Sequence, residues 1–179
     1  AAKDYLFNCT LSYDRADLSM VKKIRNRLDE LGFKVWYDSA EGNQKKSSVA
    51  AKAAVIENSE VFLYCMSSTY NDSEVCFAEA NYAHQLKKPM IPLMCEKDYM
   101  CHGWLGFLLG SKLWYGICYA NDKTAFNETI DQIASVLYQI TSHKKKGGSS
   151  DATQLSQEAI DYATICGSGE MLPSYDEPE

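Results

Sequence analysis

Two short segments that are apolar from end to end constrain the fold of this chain more than any other feature. They are "VFLYCM" (61–66) and "MIPLM" (90–94). A strand with one face in water alternates apolar and polar residues, so strands without this alternation must be covered on both faces. Such strands belong to parallel sheets that lie between two layers of helices. The segments therefore predict an α/β fold.

Amphipathic helices separate the predicted strands. Apolar residues recur at steps of three and four after the first strand, and again near the end of the pattern in Phe126, Ile130 and Ile133. Strands are predicted at 6–13, 33–37, 61–66, 90–94 and 112–115. Right-handed crossovers between such repeats give a parallel sheet in the order 2-1-3-4-5 with helices on both faces. The predicted fold is thus a flavodoxin-like three-layer sandwich around a five-stranded parallel sheet.

The folded part is predicted to end near residue 143. Apolar periodicity stops after Ile140, and a segment of Lys, Gly and Ser leads into residues that are mostly polar and acidic. We therefore expect one domain at 1–143 and a disordered tail at 144–179. Within the tail, Tyr162 has the spacing of a phosphotyrosine docking motif, and a single exposed tyrosine is the simpler interpretation.

Charge and composition exclude several classes of function. Seven of the 24 acidic residues follow Lys146, and 17 acidic and 18 basic residues remain before it. A near-neutral domain argues against nucleic-acid binding, and no apolar run is long enough to span a membrane. Seven cysteines without a C-x-x-C pair indicate reduced thiols in the cytoplasm, and no ligand spacing indicates a metal.

The predicted topology indicates where a ligand would bind. Ligands of open parallel sheets lie beyond the carboxyl ends of the strands, which selects the segments 12–15, 38–46 and 67–73. No G-x-G-x-x-G follows the first strand and no Asp ends the third, so neither a dehydrogenase nor a phosphoacceptor domain is indicated. The helix in "SEVCFAEANYAHQLKK" (73–88), capped near Asp72 or Ser73, brings Glu79 to the same edge. A solvated surface glutamate is the ordinary alternative.

Several segments in this order resemble the TIR (Toll/interleukin-1 receptor) domain. They are "LSYDRAD" (11–17), "LGFKVWYD" (31–38), "IENSEVFLYCMS" (56–67), "CFAEANYA" (76–83), "KKPMIPLM" (87–94) and "GWLGFLLGSKLWY" (103–115). The resemblance covers about residues 4–140. It is closest to TIR domains of invertebrate innate-immunity proteins and to the NAD-hydrolysing TIR domains of axon degeneration and plant resistance.

The resemblance implies one of two functions. Enzymatic TIR domains cleave the nicotinamide–ribose bond of NAD+, which gives nicotinamide and ADP-ribose or a cyclic or isomeric ADP-ribose signal in innate-immune or cell-death signalling. NAD+ is then the substrate, and no cofactor is expected. Other members are non-enzymatic adaptors that bind further TIR domains. Oligomerisation with other TIR domains activates the enzymes, because the loop after the second strand of one copy completes the pocket of its neighbour.

The resemblance also assigns Glu79 as the catalytic residue. Enzymatic members place a glutamate three residues after a Cys on the helix that follows the third strand, and Cys76 and Glu79 match this pair. Nicotinamide leaves as a neutral molecule, so its departure needs no general acid. One carboxylate, ionised at pH 7, can then stabilise the ribosyl cation electrostatically. Cys76 itself is expected to pack as a small apolar residue.

The same resemblance assigns substrate-binding residues. Tyr13, Asp14 and Arg15 match a Tyr and two arginines of the axon-degeneration enzyme, and only Arg15 keeps the positive charge. We expect Arg15 to contact the diphosphate of NAD+. Glu41 and Asn43, in the loop after the second strand, are further candidates for contact with the nucleotide.

One departure from the plant members concerns aromatic residues. Val75 stands where plant members have Trp, so stacking on the substrate would need Trp36 or Tyr82 instead. For Trp36, packing in the core is the favoured interpretation, because aromatic residues within strands normally pack.

Overall fold

The computed structural model describes residues 3–39 and 47–141. Within them, the strands are β1 (Phe7–Ser12), β2 (Val35–Tyr37), β3 (Ser59–Met66), β4 (Met90–Met94) and β5 (Tyr115–Gly116). The α-helices are α1 (Leu18–Glu30), α2 (Val49–Asn58), α3 (Ser68–Asp72), α4 (Glu74–Gln85), α5 (Gly103–Leu109) and α6 (Lys123–Ile140). Glu41, Asn43 and the predicted tail with Tyr162 lie outside the described residues.

The five strands form one parallel sheet in the order β2-β1-β3-β4-β5, so the predicted topology is confirmed. In this sheet Thr10 lies between Trp36 of β2 and Phe62 of β3. No helix in the described part of the chain is long and apolar enough to cross a membrane.

The apolar character of β3 follows from the two layers that cover it. Alternate residues of β3 point to opposite faces of the sheet. Val61 and Leu63 pack in the cluster that contains α1 and α6, whereas Phe62 and Tyr64 pack in the cluster that contains α2 and α4. All four side chains are at most 1% exposed. The helices therefore lie on both faces, as the absence of alternation predicts.

Apart from small shifts of strand ends, the structure differs from the prediction at β5 and α3. The predicted fifth strand at 112–115 is shorter and later, because pairing with β4 begins only at Tyr115 and Leu113 is 88% exposed. The short helix α3 was not predicted. It is held by polar contacts at its start, where the backbone N–H of Tyr70 donates to Ser67 Oγ at 3.2 Å. A helix of five residues shows no apolar period in the sequence.

Serine caps fix the starts of the two helices that border the site. Ser48 Oγ accepts from the backbone N–H of Ala51 at 3.1 Å, and Ser73 Oγ accepts from that of Cys76 at 3.3 Å. Such caps satisfy amide groups that the helix itself leaves unpaired. Ser73 confirms the predicted start of α4. The caps set the register in which α2 and α4 present their side chains to the strand ends.

Candidate functional site

A cavity of about 180 Å³ lies at the carboxyl ends of β1 and β2, between α2 and α4. Its wall includes side chains from both strands and both helices, among them Ser12, Trp36, Lys52 and Glu79. This is the edge of the sheet that the topology rule selects. A second hollow, of about 370 Å³ and almost wholly apolar, lies between α2 and α4 and shares Lys52, Val75 and Glu79 with the first. The two hollows therefore adjoin at Glu79.

Glu79 is held from two sides. Ser12 Oγ donates to its Oε2 at 2.6 Å, and Lys52 Nζ donates to its Oε1 at 2.5 Å. The Glu79 side chain is 14% exposed. It is therefore not a solvated surface glutamate, and both of its oxygens have fixed partners.

A fully buried tyrosine stands behind this carboxylate. Tyr70 Oη lies 2.9 Å from Ser12 Oγ, and the tyrosine is 0% exposed. Burial raises the pKa of Tyr70 well above its ordinary value, so the hydroxyl keeps its proton. Because Ser12 uses its one hydrogen on Glu79, Tyr70 donates to Ser12. The chain Tyr70, Ser12, Glu79 fixes the direction of the carboxylate.

Four charged side chains of alternating sign line one side of the cavity: Glu79, Lys52, Asp38 and Arg15. Lys52 Nζ lies 3.7 Å from Asp38 Oδ2, in addition to its contact with Glu79. Arg15 Nη2 lies 3.6 Å from Asp38 Oδ1. Arg15 is the most accessible of the four, with 37% of its side chain exposed, whereas Asp38 is 12% exposed. Asp38 follows β2 directly and joins the two cations.

The structure brings Tyr13, Asp14 and Arg15 to the cavity wall together with Glu79. Tyr13 Oη donates to the backbone carbonyl of Asp38, and burial raises the pKa of Tyr13. Asp14 Oδ1 accepts from the backbone N–H of Ala16 at 3.0 Å and so caps the turn that follows β1. Of these three residues, only Arg15 is positively charged, and it lines the cavity.

Trp36 is buried as expected of a core residue, with 9% exposure, yet it also lines the cavity. Its indole Nε1 has no hydrogen-bond partner among the described residues. Buried donors are normally paired, and this one is closed off from solvent in the structure. Val75 is 53% exposed at the rim.

Cys76 lies one helical turn before Glu79 and is 2% exposed. Burial raises the pKa of this thiol to about 12, which keeps it in the unreactive protonated form. The packing role expected for Cys76 fits this environment. In the described residues no cluster of His, Cys, Asp and Glu could hold a metal ion.

Sequence reasoning missed Lys52 and Tyr70. Lys52 carried a signal, because it is a lone charge in the apolar helix "VAAKAAVI" directly after a loop at the strand ends. Tyr70 lies in the segment 67–73 that the topology rule selects, but nothing in the sequence singles it out within that segment, since its role depends on its burial. The contact between Lys52 and Glu79 joins α2 to α4 across 27 positions of the chain.

This sheet order, with a cleft at the strand ends, defines an α/β domain of the flavodoxin-like type. A family model described as the TIR domain matches residues 10–137, which is more than half of the chain. The protein therefore belongs to the TIR domain family, and the resemblance read from the sequence is confirmed. No curated protein matches the chain.

Solved structures share the fold. The TIR domain of the Toll-related receptor TRR-2 from Hydra magnipapillata has 14% identity and a TM-score of 0.54, over 72% of this chain and 98% of that one. A TIR-STING receptor from C. gigas has 15% identity and a TM-score of 0.49, over 93% of this chain and 48% of the receptor chain. The TIR domains of the activated Roq1 resistosome have 16% identity and a TM-score of 0.45, over 90% of this chain and 98% of the resistosome chain. At 14% identity, the similarity to the Hydra domain supports the fold alone.

Proposed function

We propose that this TIR domain is an NAD+ glycohydrolase in which Glu79 is the catalytic carboxylate. One observation carries the proposal. In a TIR domain, the Glu79 side chain lies at the ligand-binding edge of the sheet, 14% exposed, with its Oε2 fixed by Ser12. A preorganised carboxylate in a partly dry cleft is suited to stabilise a cation that forms during a reaction.

The proposed reaction needs one anion and no general acid. The bond between ribose C1′ and the pyridinium nitrogen breaks, and its electron pair returns to nitrogen, so nicotinamide leaves uncharged. Water attacks C1′ and loses a proton, which gives ADP-ribose; attack by an adenine nitrogen would instead give a cyclic product. Glu79 faces the positive charge that grows on the ribose. Its link through Ser12 to Tyr70 keeps the carboxylate from turning away.

The cleft offers matching surfaces for the rest of the dinucleotide. Ligand sites for small molecules usually measure about 300–1,000 Å³, so the cavity of about 180 Å³ is too small alone. The neighbouring hollow of about 370 Å³, which shares Lys52, Val75 and Glu79 with this cavity, is the proposed site for a further part of the ligand. Arg15 is the proposed contact for the diphosphate, with Tyr13 and Asp14 shaping the wall beside it.

The test compares wild type with Glu79→Gln. This change removes the charge with little change of shape, and we expect nicotinamide release from NAD+ to fall by about 100-fold or more. Glu128→Gln is the matched control, because Glu128 is exposed on α6 and distant from the cleft. Thermal unfolding of all three proteins checks that they fold. Equal release by wild type and Glu79→Gln would refute the role of Glu79.

A non-enzymatic adaptor is the second candidate, and one observation favours it. Lys52 and Ser12 already satisfy both oxygens of Glu79 without any ligand, so the carboxylate can serve to join α2 to α4. For this function we expect co-assembly with other TIR domains and no nicotinamide release, even under crowding. With either function, the proposed partners are other TIR domains and the proposed location is the cytoplasm.

A further inference from the structure

Lys52 opposes the proposed reaction in the arrangement that the structure shows. Its ammonium lies 2.5 Å from Glu79 Oε1 and cancels much of the negative charge of that carboxylate. The positive charge that develops on the ribose would be repelled by Lys52 while it is attracted by Glu79. For Glu79 to act, Lys52 must give up this contact before the C1′–N bond breaks.

Lys52 has both a route and a reason to move. A lysine carries its charge as a compact point on a flexible four-carbon stem, so a small change of rotamer shifts the ammonium by several ångströms. The Lys52 side chain is 20% exposed and lines the cavity, with Asp38 Oδ2 at 3.7 Å as its second partner. The other carboxylate oxygen of Asp38 faces Arg15. Arg15 and Lys52 are thus two cations that share one anion on the wall of the cavity.

A diphosphate is a chemical group that can compete with Asp38 and Glu79 for two such cations. It carries two negative charges and several acceptor oxygens, and contacts with charged donors are stronger than those between neutral groups. NAD+ has this group beside the ribose on which Glu79 is proposed to act. A nucleoside without phosphate offers nothing that competes with Glu79 for the ammonium.

The geometry points to Lys52 as a gate that the substrate operates, an inference that rests on the proposed function. Before substrate binds, Lys52 neutralises Glu79 and holds α2 against α4. The diphosphate of the dinucleotide draws the ammonium from Glu79 toward Arg15 and Asp38, and the freed carboxylate then faces the ribose. Lys52 therefore selects substrates that carry a diphosphate, and it keeps the cleft inactive toward those that do not.

The test uses two substrates, NAD+ and nicotinamide riboside, which has the same scissile bond and no phosphate. In Lys52→Met we expect KM for NAD+ to rise about tenfold, because a charged contact with the diphosphate is lost. We expect kcat/KM for nicotinamide riboside to rise, because Glu79 is no longer neutralised. Lys52→Arg keeps the charge and should hold KM for NAD+ near the wild-type value. The matched control is Lys23→Met, which replaces an exposed lysine of α1 and should leave the kinetics with both substrates unchanged.

Two further results decide against the gate. If Lys52→Met lowers kcat/KM equally for both substrates, Lys52 only orients Glu79. If the kinetics with both substrates are unchanged, Lys52 has no role in the reaction. Titration of ADP-ribose by calorimetry is independent of turnover, and equal affinity for wild type and Lys52→Met would also overturn the inference. In all these cases an active wild type leaves the proposed function intact. A wild type that releases no nicotinamide overturns both.

Discussion

Two residues on the same helix face, Glu79 and Cys76, meet different environments. Glu79 is held by polar partners at the cavity wall, whereas the Cys76 thiol is buried beside it without a cation close enough to keep it ionised. Among the charges near Cys76, Glu79 raises its pKa and Lys52 lowers it, and burial outweighs both. This contrast supports the carboxylate rather than the thiol as the reacting group.

Cys76 is therefore expected to resist alkylation. With its pKa raised to about 12, the thiol remains protonated at pH 8, and we expect iodoacetamide to label Cys76 far more slowly than the partly exposed Cys101. Peptide mapping by mass spectrometry measures both rates in one sample, and labelling in urea shows that each site can react. Labelling of folded Cys76 at the rate of Cys101 would contradict the prediction.

The raised pKa of Cys76 also makes the stability of the fold depend on pH. The folded state binds this proton more tightly than the unfolded chain does. Its contribution is therefore fully present below the ordinary thiol pKa of 9.0 and is lost as the pH rises through about 12. Alkaline conditions should thus weaken the packing of α4, the helix that carries the proposed catalytic carboxylate.

At the scale of the element, α4 is expected to depend on its serine cap. Ser73→Ala removes the oxygen that accepts from the Cys76 amide, and we expect a loss of about 1 kcal/mol in the free energy of unfolding. Urea unfolding measures it. Ser135→Ala on α6 is the control, because Ser135 only bonds back to the carbonyl of Asp131 within the helix. A similar loss in both variants, or none in Ser73→Ala, would show that the cap contributes little.

The sequence predicted elements whose pattern is local. The uniform apolar character of β3 is enough to predict coverage on both faces and therefore the layers. The strand order follows from right-handed crossovers between the strand–helix repeats. The prediction places the short strand β5 too early, because the apolar residues Leu113 and Trp114 lie exposed in an irregular segment before the sheet. Apolar residues at a surface carry the same pattern as those in a strand.

The candidate site was predictable only in part, for a related reason. Glu79 and the segment of Tyr13, Asp14 and Arg15 were located by the topology rule and the family resemblance. The partners of Glu79 are Ser12 of β1 and Lys52 of α2, and these contacts exist only once α2 and α4 pack on the sheet. The same holds for the contact of Tyr70 with Ser12. No periodicity in a sequence encodes such a contact.

At the scale of the whole molecule, the surface carries several exposed apolar side chains. Met100, Phe107 and Leu113 are each at least 84% exposed. Single exposed apolar residues are common in soluble domains. In a TIR domain they are also compatible with surfaces that meet other copies, and the proposed function makes assembly part of the activity.

We therefore expect turnover per molecule to rise with protein concentration or with crowding. In the enzymatic TIR domains that this chain resembles, a neighbouring copy completes the pocket, so assembly would increase the fraction of competent sites. Nicotinamide release per molecule, measured beside light scattering over a wide range of concentration, tests this. The sharpest control adds Glu79→Gln protein to a fixed, dilute amount of wild type, since the variant can assemble but should not cleave. A rise in wild-type turnover on this addition supports completion of the site by assembly, and turnover that stays constant in both experiments contradicts it.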